Sequence, residues 1–398
     1  MSKKLPIMLF ATLFAAATVA VGCADSRKTQ KEQATEQWNG ARAAVLHGLA
    51  RDQFANGNLD KARETCAQAI RLDPKNAKLH ELSAKIAIEQ SQLELADREL
   101  TTARELDPKD AEADYLSGVV CQRWQKPQAA CEFYSSASTK APKELAYVLA
   151  QAEMLVAMDR ATEALSLLES KTTDFDHSAT LCDAIGQLLV QQGRHADAVE
   201  MLRQASSLAS DDNSIREHLA MAMCMNKQYR EAAGLLARLL KDPKNGQRCD
   251  LYIAYGECQL QLNKLPEARG CFESATKIDP TSKQAWVGSA KTALQAGDLK
   301  RANLALMKAT ALDANNAQTC LLVGYLRLRE NKLPDALAAF QKAGQLDRKD
   351  TVSLCMIGYV MEKQGDSARA VQYYTKALKM KPADELATKL LATVDVNE

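Results

Sequence analysis

From residue 43 to about residue 384, apolar residues recur three and four positions apart. Leu46, Leu49 and Gln53, or Cys320, Val323 and Arg327, show the pattern, with the third site sometimes polar. Such spacing gathers the apolar positions on one face of a helix. A longer period is superimposed on it. Ala62, Ala96, Ala130, Ala164, Ala198, Ala232, Ala268, Ala302, Ala336 and Ala370 stand 34 residues apart at eight of nine intervals and 36 apart at the other. Twelve positions before each alanine lies another small residue: Ala50, Ala84, Gly118, Ala152, Gly186, Ala220, Gly256, Ala290, Gly324 and Gly358. A third column, seven positions after, is alanine except at Lys171 and Leu239. Small side chains let two helices approach closely while bulkier neighbours fill the grooves beside them. The pattern predicts ten repeats of two helices each.

The breaking residues agree. Gly57, Gly193, Gly297 and Gly365 fall five positions before the alanine, where the first helix needs a left-handed stop. Pro127, Pro266 and Pro334 open the second helix, where the missing N–H costs nothing. Pro74, Pro108, Pro142, Pro280 and Pro382 fall in the links between repeats, and no proline interrupts a predicted helix.

Segments such as Gly57-Asn58-Leu59-Asp60-Lys61-Ala62 and Ile70-Arg71-Leu72-Asp73-Pro74 resemble the turn and exit of the tetratricopeptide (TPR) repeat. The aromatic residue usual four positions after the alanine appears as Tyr134, Phe272, Phe340 and Tyr374. The resemblance covers residues 43 to about 384. It implies an all-α fold, a right-handed superhelical solenoid of about ten helix-turn-helix repeats with an inner groove. It also implies protein or peptide partners. Repeats 1–6 would occupy residues 43–242 and repeats 7–10 residues 249–384, with a capping helix and tail over 385–398. Leu386, Leu390 and Val394 give that cap one apolar face. The extra two residues between repeats 6 and 7 place an insertion, and an expected hinge, at 243–248.

The first 22 residues read as a signal peptide, with Lys3-Lys4 followed by the uncharged apolar run from Leu5 to Val21. Ala20-Val21-Gly22-Cys23 resembles the bacterial lipobox, which implies lipid attachment at Cys23. Ordinary cleavage after Ala20, Gly22 or Ala24, giving a secreted or soluble periplasmic protein, is the alternative. Acyl chains at one cysteine would anchor the protein stably in a membrane. In lipoproteins of the enteric type, Ala24 rather than aspartate after the cysteine resembles release to the outer membrane, facing the periplasm. Residues 23–42 are then a polar tether, becoming helical near Trp38.

Charge excludes one large class of partner. The chain has 51 basic and 50 acidic residues, and loss of Lys3 and Lys4 with the signal peptide leaves a net −1. Nucleic acid requires a concentrated basic face. The motifs of catalysis are equally missing. There is no glycine-rich phosphate loop or Gly-x-Ser-x-Gly elbow. His80-Glu81 opens like a zinc-protease motif, but Ala84 stands where the second histidine would be. The five histidines lie in separate repeats, and no two cysteines lie closer than nine residues. We expect no enzyme activity, no cofactor, no metal and no small-molecule substrate. Two cysteine pairs, Cys121 with Cys131 and Cys258 with Cys271, could face each other across a helix hairpin, and the sequence leaves their bridging open.

Function is then expected in the groove lined by the first helices. Its exposed positions should recur at i, i+4 and i+7. Repeats 1 and 2 offer His47, Arg51, Glu81 and Lys85, whereas repeats 7 to 10 offer Ile253, Val287, Leu321 and Cys355, with Tyr325 and Tyr359. An apolar, aromatic surface marks a partner site. The expected partner groove is therefore Ile253, Val287, Leu321, Tyr325 and Tyr359. The expected role is a non-enzymatic protein-interaction scaffold of the bacterial cell envelope. The alternative is an assembly factor for a pilus, secretion or exopolysaccharide-export machine.

Overall fold

A computed structural model describes the backbone of residues 10–394 and the side chains of residues 31–394. The first nine residues of the expected signal segment, all its side chains and the side chain of Cys23 lie outside the described residues. Every described element is helical: twenty α-helices pair into ten repeats, a twenty-first follows them, and a 3-10 turn sits in one link. The chain divides into two compact units, one ending at Leu188 and the other beginning at Leu189. The first holds repeats 1–4 and most of the first helix of repeat 5. The second holds the remainder, with repeats 6–10 complete.

Within each unit the alanine columns do what their spacing predicts. All ten alanines of the defining column are completely buried, as are the eight alanines of the third column. At four of the five glycines of the second column an aromatic ring takes the place of the missing methyl, whereas Gly186 goes with the buried Leu202. Tyr134 lies on Gly118, Phe340 on Gly324 and Tyr374 on Gly358. Where that column is alanine, the residue on the second helix is smaller: Ala84 goes with Leu100, Ala152 with Leu168 and Ala290 with Leu306, each buried. Helix separation and side-chain volume are thus traded within a repeat, which keeps the interior close-packed.

Each first helix ends in the same turn. The residue five before the alanine has positive φ in all ten repeats, at Gly57, Gly193, Gly297 and Gly365 but also at Ser91, Gln125, Asp159, Lys227, Asn263 and Asn331. The next amide reaches back five residues, as from Asn58 to the Gln53 carbonyl at 2.9 Å or from Lys332 to Arg327 at 2.8 Å. That bond satisfies carbonyls the helix end leaves unpaired.

The expected tether is helical throughout, because the first helix runs continuously over Phe10–Ala55. Residues 31–38 on it are exposed. The insertion between repeats 6 and 7 is not an open loop. Pro243–Asn245 form a 3-10 turn whose Lys244 amide donates to Asp242 Oδ1 at 3.0 Å, and Asn245 Nδ2 donates to the Leu239 carbonyl at 2.9 Å. Arg248, just beyond, reaches Glu217 at 2.6 Å and Asp250. At the C-terminal end the helix Glu385–Thr393 starts on Asp384, which accepts from the Ala387 amide at 2.9 Å and the Thr351 hydroxyl at 2.6 Å. Leu386 and Leu390 cover the buried Cys355 and Ala377 of repeat 10.

Candidate functional site

In the second unit the first helices of successive repeats lie side by side, so their outward residues form a continuous face. The first helices of repeats 7, 8 and 9 (Cys249–Gln261, Lys283–Gln295 and Ala317–Arg329) enclose a cavity of about 500 Å³ on that face. Leu260, Leu294, Leu322 and Tyr325 supply its apolar lining, and Lys291, Arg329, Gln261 and Gln295 its polar one. Neither Lys291 nor Arg329 has an ion-pair partner among the described residues. One helix further on, Lys363 lies over the Tyr359 ring at 5.4 Å. The groove is apolar at its floor and cationic along one side.

The five expected groove residues divide. Leu321, Tyr325 and Tyr359 are half-buried together on the cluster formed by Phe340, Met356, Ile357 and Tyr374. Tyr325 meets the Phe340 ring edge-on at 5.5 Å, and burial, with help from Asp350 and Cys355, pushes its hydroxyl pKa up. Ile253 and Val287 are corrections, for both are interior. Ile253 shares a buried cluster with Phe272, Ala268 and Ala285, and Val287 shares one with Ala302, Leu306 and Leu322. Each of these clusters spans two repeats, so the first groove position packs between neighbours and leaves the second to face outward. Burial of these apolar side chains removes area from water at about 25 cal/mol per Å². The residues missed, Lys291 and Arg329, carried a signal. Lys291 occupies the second groove position of repeat 8, as Tyr325 does in repeat 9, and Arg329 lies four residues beyond Tyr325.

The charged groove of the first unit differs in kind. Lys78 bridges Glu81 at 3.0 Å and Asp110 at 2.6 Å, and Lys85 pairs with Glu112 at 3.0 Å. Tyr147 donates to the same Glu112 at 2.7 Å, and its ring stacks on Tyr115. Burial, and then the neighbouring Asp110, push the Glu81 pKa up to about 7, and its Oε1 has no hydrogen-bond partner. Burial, then Arg51, Lys78 and Lys85, hold His47 below its usual value. Lys78 and Lys85 are thus taken up by Glu81, Asp110 and Glu112, with Glu81 Oε1 left over. His80 likewise is spent on structure, with Nδ1 at 2.7 Å from Glu99 and Nε2 at 3.0 Å from the Pro74 carbonyl.

A second cavity, of about 390 Å³, lies between the second helices of repeats 7 and 8 and is lined by Trp286, Leu265, Pro266, Ala293 and Leu304. Arg301 pairs with Asp298 at 3.4 Å and Arg269 with Glu273 at 3.9 Å on its rim, and Lys277 also lines it. The Trp286 indole donates to the Pro280 carbonyl at 2.8 Å.

Models of the tetratricopeptide repeat match residues 53–120, 189–249, 253–317 and 352–384, which together are more than half of the chain. The chain belongs to the tetratricopeptide repeat family. Among solved structures, a tetratricopeptide repeat protein from Parabacteroides merdae is 17% identical with a TM-score of 0.54, over 62% of this chain and 96% of that one. That likeness shows the fold. Yeast Tom70 aligns over 88% of both chains at 15% identity and a TM-score of 0.46. A thermophilic TPR protein of Thermus thermophilus aligns over 46% of this chain and 98% of its own at 18% identity and 0.41. A search of curated proteins finds no match. The tetratricopeptide fold is one that binds protein and peptide partners, so the groove is the place to seek function in this TPR array.

Proposed function

We propose that this TPR protein is a non-enzymatic scaffold whose groove in repeats 7–10 holds an extended or helical segment of a partner protein. The observation that supports it is the groove floor of Leu260, Leu294, Leu322 and Tyr325 beside the unpaired Lys291 and Arg329. Such a surface suits a segment that presents apolar side chains on one face and carboxylates beside them. Tyr325 and Tyr359 add broad contact area at low entropy cost.

The scaffold would act at the bacterial envelope, held by acyl chains on Cys23. The support is sequence alone: the basic start, the apolar run and Ala20-Val21-Gly22-Cys23. Affinity capture from detergent-solubilised envelopes tests the first proposal. Wild type should retain one stoichiometric partner that Tyr325→Ala/Tyr359→Ala releases, whereas equal capture by both overturns the groove assignment. Radiolabelled palmitate tests the second, since label on Cys23→Ser would end the lipoprotein reading.

A further inference from the structure

Repeats 6 and 7 bring together two thiols that lie 34 residues apart in the chain. Cys224 Sγ, on the first helix of repeat 6 (Asn213–Met225), is 3.1 Å from Cys258 Sγ, on the first helix of repeat 7. That is within hydrogen-bonding reach and about 1 Å beyond a covalent S–S bond. Cys258 is completely buried, whereas Cys224 is half-buried. Both line a cavity of about 330 Å³ with Met221, Met225, Glu257 and Lys291, on the same face as the groove. The partner the sequence offered to Cys258, Cys271, instead lies against the backbone at Gly256.

The two thiols are unequal. The hydrogen bond from Cys258 holds the Cys224 pKa below the ordinary thiol value in spite of burial, while the same pairing and burial push Cys258 upward. Cys224 is thus the more accessible and more readily ionised sulfur and Cys258 the buried one behind it, the arrangement of an attacking and a resolving cysteine. Other cysteines are set apart from this chemistry, for burial pushes Cys66 up to about 12 and Cys271 to about 11.

We propose that Cys224 and Cys258 form a modification site, a dithiol that reacts with a low-molecular-weight or protein disulfide and closes into a bond fastening repeat 6 to repeat 7. The Cys224 thiolate attacks one sulfur of the donor disulfide, forming a mixed disulfide and releasing the first donor thiolate, which takes up a proton. Cys258 then loses its proton to solvent and attacks the Cys224 sulfur, releasing the second donor thiolate, which is protonated in turn. Counted from the dithiol, with the Cys224 proton released to solvent as the thiolate forms, the protein loses two electrons and two protons, and the donor disulfide gains them as two thiols. The closed loop contains the second helix of repeat 6 and the whole insertion at 243–248, so the lengthened link lies inside the cross-linked segment.

The test uses the full chain, reduced and then incubated with oxidised glutathione, alkylated under denaturing conditions and mapped by peptide mass. The expected product joins the Cys224 and Cys258 peptides, with the remaining cysteines alkylated. Cys258→Ser should accumulate glutathione on Cys224, and the cross-linked wild type should melt several degrees above its reduced form. Because Cys258→Ser alters a buried site, Cys224→Ser provides the second variant: it should take up no glutathione at Cys258 and should melt equally in both redox states. Alkylation of both cysteines after oxidation, or glutathione spread over several other cysteines, overturns the proposal.

Discussion

The Tyr134 ring occupies the space a side chain on Gly118 would need: a Cβ at residue 118 would lie 2.5 Å from Tyr134 Cε1. Tyr134 is fully buried there, with its hydroxyl donating to Gln122 at 2.7 Å. Alanine in a helix ordinarily gains about 1 kcal/mol over glycine. Here the sign should reverse. Gly118→Ala should lose about 1–3 kcal/mol through overpacking. Adding Tyr134→Leu, which copies the Ala84–Leu100 pairing of repeat 2, should recover much of that loss. Urea melts of the two variants decide it, and a stabilised Gly118→Ala would contradict the packing.

That pairing explains how far the sequence could be read. The columns were legible because a small residue recurs where helices touch, a requirement no tertiary detail relaxes. Four of ten left-handed stops were legible as glycine, but Ser91, Gln125, Asp159, Lys227, Asn263 and Asn331 adopt the same conformation without that residue type. The turn is imposed there by the helices on either side, at about 1–2 kcal/mol for a side chain in that region. Of the groove, periodicity alone did not distinguish Ile253 and Val287, which pack between repeats, from the second groove position beside them. The contact of Cys224 with Cys258 was not legible at all. The insertion shifts the phase, so Cys224 matches Leu260 rather than Cys258 in the next repeat.

The register assigned to repeat 8 has a direct test. Ala302 is completely buried between its two helices, while Lys300, two residues earlier, is exposed. Ala302→Leu must push helices apart and should cost about 1–3 kcal/mol or more, whereas Lys300→Leu should change stability by under about 0.5 kcal/mol. Equal melting temperatures would refute the register.

Glu81 should make the protein less stable as pH rises from 4.5 to 7. Its folded pKa is about 7 against 4.5 when exposed, so the folded chain holds a proton that the unfolded chain has released. Stability then falls as pH rises from 4.5 to 7 and stays reduced above that. Asp110 acts in the opposite sense and in another window. Burial would raise its pKa, but the neighbouring Glu81 carboxyl, the Lys78 ammonium and the Glu112 amide lower it to about 2, so its contribution is lost as pH falls from 3.8 toward 2. Glu81→Gln should flatten the upper window and gain about 1–2 kcal/mol at alkaline pH. Thermal melts across pH would show this, and an unchanged upper slope would mean that Glu81 is ionised in the folded protein.

The groove makes a prediction that separates its two kinds of contact. Lys291 and Arg329 have no ion-pair partner among the described residues, so an acidic segment should meet their field before it docks. Lys291→Glu/Arg329→Glu should therefore slow association about tenfold or more and remove most of its salt dependence. Tyr325 and Tyr359 act after contact, by covering apolar area on the partner. Tyr325→Ala/Tyr359→Ala should leave association within about threefold and speed dissociation, for a loss of about 2 kcal/mol if either is a hot spot. Surface plasmon resonance with the captured partner, at low and physiological salt, measures both rates. Normal kinetics for the charge-reversal variant would remove the acidic character assigned to the partner. Normal kinetics for the tyrosine variant, with its fold intact, would move the recognition surface elsewhere, and the Trp286 cavity would be the next place to cut.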